Sequence, residues 1–455
     1  MLALVALLAT GRATPPVACG VAVLLTLPAA FLALPPGRGL AGFALDSAAQ
    51  GLWLAVVPIG VMAGGLLFHA AIGQREPAAG AAPRDRADTA FDAAFLLGPF
   101  TEAVTGFGVG SVFAVGAVRR VGITGAPAAA IAMMAQLIVP WGGLGPGTAI
   151  GAALAGISAQ TMALRNAVQL SAALPCLLLV FWACCAAAHV PVSARRRLGQ
   201  AGWLAAFAGL LVGWHFLVPW EVCGLLATGP LLAARTLRAD PPRSADAWRR
   251  AVASAFPYLL LAAVLLGSRV WRNPPAWHAY PDLPALPLNH AMVALWVVAL
   301  ALLASRRDGL LLAVQALRRM PRTALTLLLF VLLARTLANA GVPQALAMAL
   351  AGAFGGMAPY AAPLLAAGGG FVTGTNTGGN SAMMPLQSAL GHAAGLPPTI
   401  LPAVQNGTLT LLMAPQLTAV VAQLAGGVRL GSIWRLLWPV APVGIAIGMA
   451  AIALR

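Results

Sequence analysis

The chain is 455 residues long, 60% hydrophobic and only 8% charged, and its net charge of +16 rests on arginine, with no lysine at all. Soluble domains carry roughly a quarter of their residues charged, so this composition excludes a soluble globular protein. The arginines stand in short clusters between apolar runs, the placement of membrane topology signals and not of a polyanion-binding face, so no nucleic-acid partner is expected.

Met1 to Thr10 lacks a basic leader, and its apolar core is short for a signal peptide. It reads as a short first span or an interfacial segment. Apolar runs at 17–34, 52–71, 167–188 and 433–454 approach or exceed the ~20 residues that cross a hydrocarbon core. Cys19, Cys176, Cys184, Cys185 and Cys223 lie in or beside such runs without metal-ligand spacing and read as small packing residues. No metal, cofactor or enzymatic cluster is expected.

Cytoplasmic loops carry the excess of basic residues. Placing Arg84/Arg86, Arg119/Arg120, Arg195 to Arg197, Arg235 to Arg250, Arg306/Arg307 and Arg318 to Arg322 on one side constrains the rest. The charged stretch 74–92 reads as a solvated loop. The run 91–118 must then enter and leave by the same side, and it is broken at Thr101 to Gly110, so it reads as a re-entrant hairpin. Runs at 203–218 and 222–234 go out and return, with Glu221 favoured at a helix start by the dipole. Runs at 251–266 and 291–304 do likewise, joined by an outer loop rich in Trp and Pro. The run 323–340 leads outward, and 361–390, interrupted at Gly368 to Ser381, reads as a second hairpin entering from the opposite side. His69, His290 and His392 stand at the ends of runs and read as interfacial.

The two hairpin regions repeat in register. Gly106 and Gly374 are 268 positions apart, Gly125 and Gly395 are 270, Gln136 and Gln405 are 269, Pro146 and Pro415 are 269, and Leu154-Ala155-Gly156 stands 270 before Leu424-Ala425-Gly426. Each unit has a hairpin tip, a G-x-P entry, a helix, a Gly/Pro break and a second helix. Pro140 to Thr148, including Gly143 and Gly145, cannot be continuous helix; its partner is Asn406-Gly407-Thr408 followed by Ala414-Pro415. Inverted repeats with broken helices are the architecture of secondary transporters, with the site where the halves meet.

The expected fold is therefore an all-α polytopic membrane protein of about 11–12 transmembrane helices plus two re-entrant hairpins, with an inverted-topology repeat and two broken helices. Its regions are 1–86 (first spans), 87–160 (first repeat core), 161–355 (intervening spans) and 356–455 (second repeat core and last span).

Glu102-Ala103-Val104-Thr105-Gly106-Phe107-Gly108 resembles the E-G-A-A-G-F-G segment of the bacterial L-lactate permease family. Thr373-Gly374-Thr375-Asn376-Thr377 resembles that family's G-S-N-T segment, followed by the A-G-L-P-P run of Ala394 to Pro398. The chain departs at Ala103, Thr105 and Thr375, and is shorter than such permeases. The resemblance implies a proton symporter of lactate, glycolate or related 2-hydroxy monocarboxylates in the bacterial inner membrane. The Thr375-Asn376-Thr377 tip also resembles those of sodium-coupled dicarboxylate carriers, which keeps sodium coupling open. A passive organic-anion channel is the other alternative, and the oligomeric state stays open.

Glu102 is the expected proton carrier, since a mid-bilayer carboxylate costs about 2.5–3.5 kcal/mol unless hydrated, paired or protonated; the alternative is a structural acid capping the hairpin's inner helix. For a lactate-like ligand, Thr105, Thr373, Thr375, Asn376, Thr377, Asn380 and Asn406 supply neutral polar groups, while N–H groups near Gly106, Gly108, Gly143, Gly145 and Gly374 suit a carboxylate. Each Thr is alternatively back-bonded to its own helix. Arg335 either pairs a substrate carboxylate or snorkels to the outer interface.

Overall fold

The computed structural model describes residues 15–32, 39–73, 85–106 and 108–454. Met1 to Thr10 lies outside the described residues. Seven described helices are long and apolar enough to cross a membrane, and the bent pair Leu430–Leu437 and Val440–Ala453, at 43°, makes an eighth. Further helices, Ala194–Trp214 and Trp220–Ala239, have spanning length but carry arginine at one end. The chain is a multi-pass helical membrane protein. Within the Trp- and Pro-rich loop, Ala276–Trp277 pairs antiparallel with Leu286–Pro287 in a two-residue ladder.

The first hairpin rises through Arg86–Asp92, the π-helical turn Ala93–Leu97 and Gly98–Thr105, and returns as Val109–Arg120. The π turn has a local cause. Pro99 has no N–H to give, and Gly98 reaches back to the carbonyl of Ala93, five residues away. A Cβ on Gly110 would lie 2.3 Å from the Gly98 carbonyl oxygen, so the two arms meet there backbone to backbone. The arm starts earlier than the apolar pattern indicates. Asp85 caps it, accepting from the N–H groups of Ala87 and Asp88 at 2.8 and 3.2 Å.

The stretch expected as a solvated loop is thus partly ordered and buried. Asp92 is 7% exposed and ion-paired with Arg235. That guanidinium also lies over the rings of Phe91 and Trp203, at 4.9 and 5.5 Å. Arg196 reaches Asp85 at 2.9 Å, and Arg86 donates to the carbonyl oxygens of Val121 and Gly122. Four arginine clusters therefore meet at the base of the first hairpin, as topology signals of one side would.

The second hairpin is Ala362–Thr373 and Asn376–Ala393. Only Gly374 and Thr375 break it, so Gly368 to Gly370 and Asn376 to Ser381, read as part of the interruption, are helical. Each hairpin is followed by a broken helix. The first runs Gly125–Met133, the 3-10 segment Met134–Leu144 with non-helical backbone at Gly142 and Gly143, then Pro146–Ala155. The second runs Ile400–Asn406, Leu409–Met413 and Pro415–Leu424.

The broken helices lie side by side and antiparallel. The start of the first meets the end of the second, where Gly125 N–H donates to the Ala425 carbonyl at 3.2 Å. The last segment of the first meets the first segment of the second, where Asn406 Nδ2 donates to Thr148 Oγ1 at 3.0 Å. The hairpin bases lie at opposite ends of the final helix pair. Arg119, at the first base, donates to the carbonyl of Leu424 at 2.6 Å, just before that pair begins. The second base, with Ala362 and Leu390, packs against Ile452, where the pair ends.

Two contacts show the inversion residue by residue. A Cβ on Gly147 would fall 2.1 Å from Asn376 Oδ1, and one on Gly108 would fall 2.6 Å from Leu417 Cδ1. Gly108 and Asn376 are 268 positions apart, and Gly147 and Leu417 are 270. Each hairpin tip thus touches the other unit's broken helix at the equivalent place, with the glycine and the larger residue exchanged.

Two stability predictions follow from this packing. Gly147→Ala forces a methyl into the second tip and should cost about 1–3 kcal/mol, whereas Gly116→Ala, with open space around it, should leave stability unchanged or slightly raised; melting of the purified protein in detergent compares them. Asp92→Asn leaves the Arg235 guanidinium with the longer, more exposed Asp88 pair at 3.4 Å and should cost about 1–3 kcal/mol, with Asp92→Asn/Arg235→Met recovering part of it; unfolding of both variants in one detergent measures the difference.

Candidate functional site

The first tip is built around Glu102. Gly106 and Gly108 have φ of 68° and 84°, which only glycine adopts without strain, and they turn the chain back over the carboxylate. Glu102 is 3% exposed; Oε1 accepts from the Gly108 N–H at 3.2 Å and Oε2 from the Gly110 N–H at 2.9 Å. The carboxylate thus caps the return helix and meets its free N–H groups. Gln136 stands nearby, donating to Ser111 Oγ at 3.1 Å. Thr105 is back-bonded to Thr101 O at 2.6 Å.

The tip leans on the first break. A Cβ on Gly106 would lie 3.0 Å from the Gly143 Cα, and one on Gly142 would lie 3.4 Å from Glu102 Oε1. Gly145, at φ 70°, leaves room for the Trp220 ring, 2.1 Å from where its Cβ would sit. The freed carbonyl of Pro140 accepts from Thr148 Oγ1 at 2.6 Å. Trp141, fully buried, fills this break and donates through its indole N–H to His215 Nε2 at 3.2 Å. His215 Nδ1 lies 2.7 Å from the Leu211 carbonyl, so that nitrogen carries the proton and the ring is neutral.

Immediately past the first break stands the second tip. Thr375 caps the return helix, accepting from Gly378 N–H at 2.9 Å, and Thr373 is back-bonded to Gly369 O at 2.8 Å. Gly374, at φ 69°, makes the turn. Asn376 donates to the Asn406 carbonyl at 2.8 Å, restoring a partner to the second break. The Asn380 amide nitrogen lies 2.6 Å from Asn406 Oδ1, 2.8 Å from Gly147 O and 3.0 Å from Asn376 Oδ1. Three oxygens thus converge on a group with two hydrogens, while Asn380 Oδ1 has no partner. Asn406 Nδ2 donates to Thr148 Oγ1 at 3.0 Å and also to Asn166 Oδ1, and Asn166 donates onward to the Ala403 carbonyl at 2.7 Å. Thr377 is buried beside this network.

The structure therefore brings Glu102, Thr105, Gly106, Gly108 and Gly143 together on one side of the first break. Thr373, Gly374, Thr375, Asn376, Thr377, Asn380 and Asn406 gather on the other. Arg335 joins neither. It donates to Gln50 Oε1 at 2.6 Å, beside an Asn339–Ser47 hydrogen bond of 3.0 Å. Sequence reading missed Thr148, Asn166 and His215. Thr148 adjoined the first break, but Asn166 and His215 sit mid-helix and at a helix end, and only long-range packing joins them to it. Glu221, expected at a helix start, is there, and also pairs with Arg269 at 2.6 Å. Cys184, Cys185 and Cys223 are buried, and the described residues hold no cluster suited to a metal ion; the side chain of Cys19 lies outside the described residues.

Residues 287–431 match the family model described as L-lactate permease. No curated protein matches the chain. One solved structure, of the Alcanivorax borkumensis YdaH transporter, aligns at 14% identity and a TM-score of 0.47 over 97% of this chain and 98% of that one. The matched segment contains the second tip, the A-G-L-P-P run and the whole second broken helix. Over residues 287–431, about a third of its length, the chain is similar to the L-lactate permeases.

Proposed function

We propose that the chain is a secondary active transporter of a small monocarboxylate, L-lactate or a similar 2-hydroxy acid, in the bacterial inner membrane. The observation that carries the reading is the pair of antiparallel broken helices, each clasped by a hairpin tip, in a chain with an L-lactate permease segment. Such a frame offers a ligand unwound backbone near the midplane and can rock between two faces.

Proton coupling falls to Glu102. A carboxylate with two N–H donors matches the charged form; a proton added to it removes the charge and turns one oxygen into a hydroxyl, a weaker acceptor for the Gly108 or Gly110 N–H group. Protonation would in this way loosen the tip that it stabilises when charged. Sodium coupling is the second reading, favoured by the oxygens of Asn376, Asn406 and Gly147 around the Asn380 amide, since hard cations take oxygen ligands.

Uptake of L-lactate into proteoliposomes tests these readings. The proton reading expects accumulation above the outside concentration under an inward proton gradient, abolished by a protonophore and independent of sodium. Glu102→Gln should lose accumulation by tenfold or more while retaining exchange of internal for external L-lactate. Downhill flux alone, under either gradient, would indicate a channel and contradict the proposal.

A further inference from the structure

The glutamine that recurs between the units, Gln136 in the first and Gln405 in the second, turns a buried amide toward the hairpin in both. What the amide meets there differs. In the first unit Gln136 Nε2 donates to Ser111 Oγ at 3.1 Å and stands beside the Glu102 carboxylate as a further donor. Its carbonyl oxygen, Oε1, takes no donor among the described residues. At the hairpin offset of 268, Glu102 and Ser111 correspond to Gly370 and Gly379. Gln405 Nε2 therefore faces glycine on both arms, 3.8 Å from where a Cβ on Gly369 would stand and 3.6 Å from one on Gly379, and has no hydrogen-bond partner among the described residues. Acid, hydroxyl and amide come together in one unit only.

We propose that Gln136 is the positioning residue of the proton step, an amide that serves Glu102 in both of its protonation states. This role rests on the proton reading above and supplies the partner that the protonated carboxyl needs. A charged carboxylate only accepts, whereas a protonated one has a hydroxyl to give. The Gly108 and Gly110 N–H groups suit the first form and offer the new hydroxyl no acceptor. An amide suits either form. With Nε2 toward Glu102 it donates to the carboxylate; turned end for end it presents Oε1, which accepts from the hydroxyl. Ser111 follows the turn, accepting from Nε2 in one orientation and giving its own O–H to Oε1 in the other. The proton adds to one carboxylate oxygen and leaves from it, and no heavy-atom bond changes. A carboxylate that merely capped the return helix would need no such partner. Backbone walls the site closely: a Cβ on Gly110 would lie 2.8 Å from Glu102 Cβ, and one on Gly142 would lie 3.4 Å from Oε1. The charged groups on the elements packed against this arm are engaged elsewhere, Asp92 with Arg235, Arg119 with the Leu424 carbonyl, Glu221 with Arg269, and His69 edge-on against Phe113.

Infrared difference spectra of the purified protein between acid and alkaline pH test the assignment. The carboxylic-acid C=O band that disappears in Glu102→Gln should move to higher wavenumber in Gln136→Met, which keeps the unbranched chain but has no amide, because the Glu102 hydroxyl then lacks its acceptor. In proteoliposomes the same variant should lose about tenfold in proton-driven L-lactate accumulation while retaining exchange of internal for external L-lactate. Gln136→Leu decides if Gln136→Met fails to insert. A Glu102 band at the wild-type position in an inserted variant overturns the role of Gln136 and leaves the proton reading intact. A wild-type spectrum with no band that Glu102→Gln removes defeats the proton reading itself.

Discussion

A helix that stops inside a hydrocarbon layer strands N–H and C=O groups where no water can reach them, and each costs several kcal/mol unless the protein supplies a partner. This chain stops helices there four times, at two tips and two breaks. Four polar side chains in its centre answer that demand directly. Glu102 takes the N–H groups of the first return helix, Thr148 takes the Pro140 carbonyl, Thr375 caps the second return helix, and Asn376 takes the carbonyl of Asn406. Function has to be built from what remains: a carboxylate whose charge holds a tip closed and an amide with more acceptors than hydrogens.

The second requirement is closeness. Breaks and tips can satisfy one another only if backbones approach within side-chain distance, and glycine permits it at each contact: Gly106 with Gly143, Gly98 with Gly110, Gly147 with Asn376, Gly108 with Leu417. The exchange of glycine for a larger residue between the last two contacts keeps the packing volume similar in both halves.

Much of this was legible in the sequence because it is written in residues with strong local meaning. Gly and Pro marked the breaks, the arginine clusters required a hairpin at Glu102, and five pairs at offsets of 268–270 aligned the units. The hairpin limits were less legible. Asp92 and Arg235 are 143 positions apart, so a charged stretch that looks solvated gave no sign of a buried partner. Asn166 and His215 lie within ordinary helical pattern and gain their roles only from what packs against them. Arg335 was ambiguous for the opposite reason: an arginine in an apolar run signals a partner, and here that partner is Gln50 and not the tips.

The account depends most on the two hairpins entering from opposite sides. Single cysteines at Arg120 and Ala393, exposed residues at the two hairpin bases, can be placed in a chain whose five native cysteines are replaced. Labelling with a membrane-impermeant maleimide in sealed vesicles of known orientation then reads the side of each. Modification of the two positions from opposite faces is the predicted result; modification of both from the same face would contradict the inverted repeat and the site built upon it.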